Sequence, residues 1–161
     1  MKAFAVFALG AAAASCLGST AGAATTTAAP GAKVFADHCQ VCHQAEAVGV
    51  PGQFPRLAGR AALIAAAPEG RKLLATIVLN GMSGRVNVDS QPILGVMPPL
   101  DSLSDAEAAS VLTYLAGLQT EKAKPAPFKP AEIAAVRASG KLAPGQVLAQ
   151  RNGLAAVRVV P

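Results

Sequence analysis

Cys39, Cys42 and His43 stand as C-x-x-C-H within the hexapeptide HCQVCH, residues 38 to 43. Three chemistries use such a cluster: thiol–disulfide exchange, zinc coordination and covalent attachment of haem. A thioredoxin-like dithiol belongs in a strand–helix–strand setting, which this sequence lacks. A zinc site needs a fourth ligand, and no Cys or His follows His43. His38 would complete four ligands from one hexapeptide, but so tight a cluster links no distant segments and adds nothing to a fold. Haem attachment explains the spacing. Two thiols separated by two residues at the end of a helix both reach the vinyl groups along one porphyrin edge. His43, next in line, then lies beneath the ring with a nitrogen towards the iron. The residues point to one covalent haem c on Cys39 and Cys42. A chance occurrence of so short a motif stays open, and His38 reads as an exposed helix residue.

A second axial ligand must come from elsewhere. The soft candidates are Met82 and Met97. Met97 sits between a flexible Leu-Gly pair and two consecutive prolines that stiffen the chain beyond it, and a thioether on a rigid loop is a good weak ligand for low-spin iron. Met82 directly follows a helix cap and reads as hydrophobic filling. If neither binds, the iron is five-coordinate, which favours gas binding over electron transfer.

The elements that must position these groups are helical. A first helix is predicted from about Ala32 into the cysteine motif, burying Val34 and Phe35. Residues 48 to 59, VGVPGQFPRLAG, are too rich in Gly and Pro for regular structure. A second helix starts at Pro68, suited to the first helical position, carries Leu73, Leu74, Ile77 and Val78 on one face, and stops at Asn80-Gly81. Residues 81 to 100 read as another irregular stretch. Ser104 and Glu107 form a capping box that opens a helix with Ala108, Val111, Leu112, Leu115 and Leu118 as its apolar stripe. No segment of strand period stands out, so the predicted class is all-α.

Composition and charge bound the function. The chain has 161 residues, 52% hydrophobic but only 4% aromatic, room for one modest domain whose thin core would pack better around a bulky apolar cofactor. From Pro30 to Thr120 there are six Lys/Arg against seven Asp/Glu, and from Glu121 to Pro161 seven against two. The basic residues are scattered and not interleaved with aromatics, which excludes a nucleic-acid surface. Lys2, the apolar run Ala3 to Ala14 and the small residues AGA at 21 to 23 read as a signal peptide, residues 1–23, cleaved after Ala23 or Ala24. The run is too short to span a bilayer. Cys16 in AASC loosely resembles a lipobox, which would instead leave a lipid anchor at Cys16. Either route delivers the chain to the periplasm, with residues 24–31 as a flexible lead.

In order and motif the chain resembles a class I mono-haem cytochrome c of bacterial type. The resemblance rests on VFADHCQVCHQAEAVGVPGQFPRLAG, LNGMSGRVNV and MPPLDSLSDAEAASVLTYL and covers about Ala32 to Leu118. It implies a small helical domain, residues 32–120, wrapped around one haem c. It further implies Cys39 and Cys42 as thioether sites, His43 and Met97 as axial ligands of the iron, and the Pro55 carbonyl as acceptor for the other nitrogen of His43. Position 56 is Arg where relatives with this loop often have Pro, so Arg56 either lies near a haem propionate or is solvated.

The implied function is single-electron transfer in the periplasm without catalysis at the haem. The carrier would be a free shuttle or the cytochrome subunit of a dehydrogenase or terminal oxidase, with that redox protein as partner. The alternative is a haem enzyme or gas sensor with a labile sixth ligand. Residues 121–161 lie outside the core family pattern. A Pro/Lys-rich linker leads there to PAEIAAVR and PGQVLAQR, each a candidate short helix. The expectation is a basic, partner-docking extension, with a belt on the protein's own surface as the competing reading.

Overall fold

A computed structural model describes residues 29–118 and 123–161, together with Met1 and Glu121. The signal peptide, its cleavage site, Cys16 and most of the lead lie outside the described residues. The elements run α1 (Ala29–His38), α2 (Gln40–His43), α3 (Arg60–Ala65), α4 (Pro68–Asn80), β1 (Met82–Val88), β2 (Gln91–Met97), α5 (Asp105–Gly117), α6 (Pro130–Ala138) and α7 (Pro144–Ala156).

The crossing of α1 and α5 organises the core. Gly31 lies against the backbone of Ser110, where any side chain would collide with the Ser110 carbonyl. That close approach brings the Phe35 and Tyr114 rings to 5.5 Å at a 47° tilt, a geometry that contributes about 0.5–1.5 kcal/mol beyond area burial. Around them pack Val34, Val111, Leu112 and Leu115, all buried. The expected capping box opens α5: Glu107 N donates to Ser104 Oγ, and Ser104 N donates to Glu107 Oε2 at 2.8 Å. Pro68 stands in the first turn of α4, and Gly81 closes it with φ of 70°. Helix α1 starts earlier than expected, taking the last residues of the lead into its first turn.

Two expectations need correction. Residues 82 to 97 are a hairpin and not an irregular stretch. Strands β1 and β2 pair antiparallel from Met82↔Met97 to Val88↔Gln91, turning at Asp89 and Ser90, both with positive φ. Gly84, Pro92 and Gly95 depress strand propensity and hid the period-two pattern. A two-stranded hairpin is marginal alone. This one gains its stability because Val86, Val88 and Ile93 pack with Met82 and Leu148.

Leu148 belongs to the second correction. The apolar positions of the extension pack on the same chain and not on a partner. Helix α6 lies on α5 and α4, and α7 lies on α4 and β1. Ile133 and Val147 have no exposed surface at all. Arg71 holds α6 with paired bonds to Glu132 at 2.7 and 2.8 Å and stacks 3.9 Å over Phe128. The buried Asn80 accepts from Leu142 N at 2.9 Å, fixing the turn between α6 and α7. This covering explains why α4 buries more than the single face the sequence displays, Ala75, Thr76 and Asn80 included.

Candidate functional site

The floor of the site is built by the chain reversal after α1. Cys39 N donates to Phe35 O and His43 N to Cys39 O, both at 2.9 Å, which holds the motif in two helical turns and sets Cys39, Cys42 and His43 along one wall of a cavity of about 280 Å³. Both thiols are free and half-buried. Burial, and then the neighbouring Cys42, pushes the Cys39 thiol up to about 11. Thiol–disulfide catalysts use the opposite shift. Among the described residues no group of three or more His, Cys, Asp and Glu is placed to hold a bare metal ion.

His43 is buried, and its Nδ1 donates to Pro55 O at 2.9 Å. Because the partner is a carbonyl, Nδ1 must carry the proton of the neutral ring. The Nε2 lone pair is thereby left free, the form a metal takes up. Burial lowers the His43 pKa, opposed by the bond to Pro55, a shift in the direction of the neutral ring. The loop after His43 turns sharply to deliver that carbonyl. Gln44, Glu46 and Ala47 all have positive φ, conformations costing non-glycine residues about 1–3 kcal/mol each. Gly49 permits the closure, since a Cβ there would strike the backbone from Phe54 to Arg56.

The facing wall is the hairpin. Residues two apart share a face, so Met82, Gly84, Val86 and Val88 on β1 join Ile93, Gly95 and Met97 on β2 in lining the cavity. Met82 and Met97 are opposite one another in the register. Both are half-buried. The sequence reading separated the two methionines into ligand and filling, whereas the fold brings both to the cavity. Gly81 lets the Met97 carbonyl approach to a point where a Cβ would lie 2.5 Å from it. Gly84 and Gly95 are opposite one another in the register; a Cβ on Gly84, which has a φ of 126°, would strike the Leu148 side chain, and a Cβ on Gly95 would enter open space. Apolar side chains of Ile64, Leu74, Val78, Leu100 and Leu112 complete the lining.

One rim is cationic. Arg56 donates to both oxygens of Asp89 at 2.8 Å, so it is an ion-pair partner of the hairpin turn and not merely solvated. Arg60 approaches the same carboxylate at 3.6 Å and donates to Pro161 O, while Arg151 of α7 donates to Asn87 O at 3.4 Å. All three guanidinium groups line the cavity against that single carboxylate. Sequence reasoning missed Arg60 and Arg151, and with them helix α3. Their signal was only the excess of arginine around a core that needed closing.

Apolar walls, two thiols beside an imidazole with a free Nε2, two thioethers in the same cavity and a cationic rim fit a planar, dianionic, iron-bearing macrocycle. Residues 28–119 match the cytochrome c family. Two cytochromes c-552 are similar to the chain, both from Thermus thermophilus, the second from a particular strain of that organism. Each is 41% identical over 129 residues, covering 78% of this chain and 97% and 86% of theirs. That stretch is longer than the family match, so the likeness extends past the family domain. The chain belongs to the cytochrome c family, as a class I mono-haem member. It binds haem c covalently, and its function is electron transfer as a non-catalytic carrier.

Proposed function

We propose that this cytochrome is a periplasmic single-electron carrier in which His43 Nε2 and Met97 Sδ are the axial ligands of the haem iron. The observation that carries the reading is the His43–Pro55 hydrogen bond, which fixes the ring tautomer in a cavity that Met97 also lines. Bound haem supplies the one-electron iron couple. Cys39 and Cys42 tether it, and His43 gives a strong nitrogen donor. Met97 gives a weak sulfur donor that favours the ferrous state. With both axial positions filled by the chain, no coordination site is left for a substrate. Arg60 and Arg151 are suited to the propionate carboxylates, which would use the positive charge that Asp89 leaves unmatched.

The redox partner, a periplasmic dehydrogenase or terminal oxidase, docks over the cavity mouth. Val41, between the two cysteines, is 81% exposed, and Leu94 and Val96 on the outer face of β2 are each 73% exposed. Exposed apolar residues beside the cofactor suit close, dry contact with a second protein. The leader at residues 1–23 supports export, and lipidation at Cys16 would keep the same orientation at the membrane.

Ferric absorption tests the ligation. The weak sulfur-to-iron band at the red end should be present in the wild type, absent in Met97→Ala and retained in Met82→Ala. Ferrous Met97→Ala should bind carbon monoxide and the wild type should not. A band that survives in Met97→Ala would assign the sixth ligand elsewhere, Met82 first. The mass of the mature protein, starting after Ala23 or Ala24 or carrying lipid on Cys16, tests the export route.

A further inference from the structure

Between Met97 and α5 the chain runs through Pro98–Ser104 without regular structure, and this segment decides how firmly the methionine is held. On its near side Leu100 N donates to Val78 O at 2.9 Å, and Leu103 N turns back to Leu100 O at 3.2 Å. The carbonyls of Asp101 and Leu103 take their partners from outside the segment. Arg137, in the last turn of α6, donates to Asp101 O at 3.0 Å, to Leu103 O at 2.8 Å and to the Asp105 carboxylate at 3.0 Å. Lys141 adds a 2.7 Å bond to the Asp101 carboxylate. One guanidinium fork from the extension therefore spans the far end of the methionine loop and the first turn of α5.

We propose that Arg137 is a positioning residue for Met97, so that the extension controls how readily the methionine leaves the iron. The proposal rests on the reading of Met97 as axial ligand. Leaving requires the segment after Met97 to shift. Pro98 and Pro99 are too stiff to absorb that shift locally, so it must pass to Leu100–Leu103. There it breaks the bonds to Arg137, which act together because they share one planar group. A second anchor of the extension provides the contrast. Arg71 makes four bonds to Arg137's three, to Glu132, Ala126 O and Pro127 O, but none to the methionine loop.

The test uses full-length holoprotein and imidazole as the competing ligand for ferric iron. Arg137→Ala should speed imidazole binding by about tenfold, the scale of one charge-assisted hydrogen bond. Arg137→Lys should fall between, since a lysine reaches one carbonyl and not two. Arg71→Ala should lower the melting temperature at least as much yet leave imidazole binding and the band unchanged. Equal ligand exchange in Arg137→Ala and Arg71→Ala would overturn the proposal and reduce Arg137 to a structural anchor. Absence of the band from the wild type would instead overturn the Met97 reading, and this inference with it.

Discussion

The cradle formed by α1 to α5 and the extension formed by α6 and α7 bury apolar residues in different ways. In the cradle, helices leave a gap and line it: Ile64, Leu74, Val78 and Leu112 face a cavity as well as each other. The extension packs directly on the cradle, with Arg151 and Val160 reaching the cavity. Ile133 and Val147 are fully covered, and α6 and the turn that follows it are pinned by a charged and an amide side chain of the cradle. The cradle is completed by a cofactor and the extension by the cradle. Stability of the first should follow haem, and stability of the second should follow packing.

The largest break in that comparison comes from the thioether positions. Cys42→Ala or Cys39→Ala should remove most of the holoprotein, and the apo-chain should lose most of its fixed structure, because a lined gap without its occupant forfeits contacts on one side. Circular dichroism of apo-protein with native helix content and a sharp thermal transition would show that the cradle stands without haem.

Removing the extension is the next largest effect. Truncation after Thr120 takes away Phe128, Ile133, Val136 and Val147, which are buried against α4, α5 and the hairpin. It also leaves Leu73, Asn80 and the inner face of β1 uncovered. A marked drop in melting temperature is expected. Ile133→Ala alone should cost about 2–5 kcal/mol, the range for a fully buried large-to-small change. Denaturant titration of the holoprotein measures both. A truncated protein that melts like the full chain would return the extension to the role of an independent docking arm.

Much of the cradle is legible in the sequence because its signals are local. The motif at residues 38 to 43, Pro68, Gly81 and the Ser104–Glu107 box act over a few residues, and each appears where expected. The hairpin was not legible, since its stability comes from Leu148, more than fifty residues away, and Gly84 makes room for that side chain at a cost in strand propensity. The charge contrast has a meaning within the chain that spacing does not show. The basic excess of the extension read as that of a partner-docking arm. In the fold, Arg137 meets Asp105, Lys141 meets Asp101 and Glu132 meets Arg71. Opposite charges far apart in sequence were complementary to one another. At the cavity, the cysteines and histidine were visible by spacing; Met97 was singled out by its prolines, whereas Met82, which lines the same cavity, read as filling. Arg60 and Arg151 were not visible, because nothing local marks a cation that closes a rim.

The smallest effect sharpens the comparison by pH. The Glu132 carboxyl is held below its usual 4.5, first by the hydrogen bond from Arg71 and further by Lys129. Asp101 is held below its usual 3.8 by Lys141, and Asp89 by Arg56. A carboxylate whose folded pKa lies below its unfolded one contributes its stability fully above the unfolded value. It loses that stability as pH falls through the folded value. The window for Glu132 therefore opens below about pH 4.5, and for the two aspartates below about pH 4. All three carboxylates tie the extension or the hairpin turn, whereas the wall bearing Cys39, Cys42 and His43 has no such pair. Acid should thus loosen α6 and the Asp89 turn while the haem spectrum is still native. Partly exposed ion pairs such as Arg71–Glu132 contribute roughly 0.2–1 kcal/mol, so the loosening is local. Amide hydrogen exchange at decreasing pH, corrected for intrinsic rates, should show protection falling first in α6, and Glu132→Gln should flatten that dependence. Simultaneous loss of protection in α1 and α6 would mean that the two regions unfold as one.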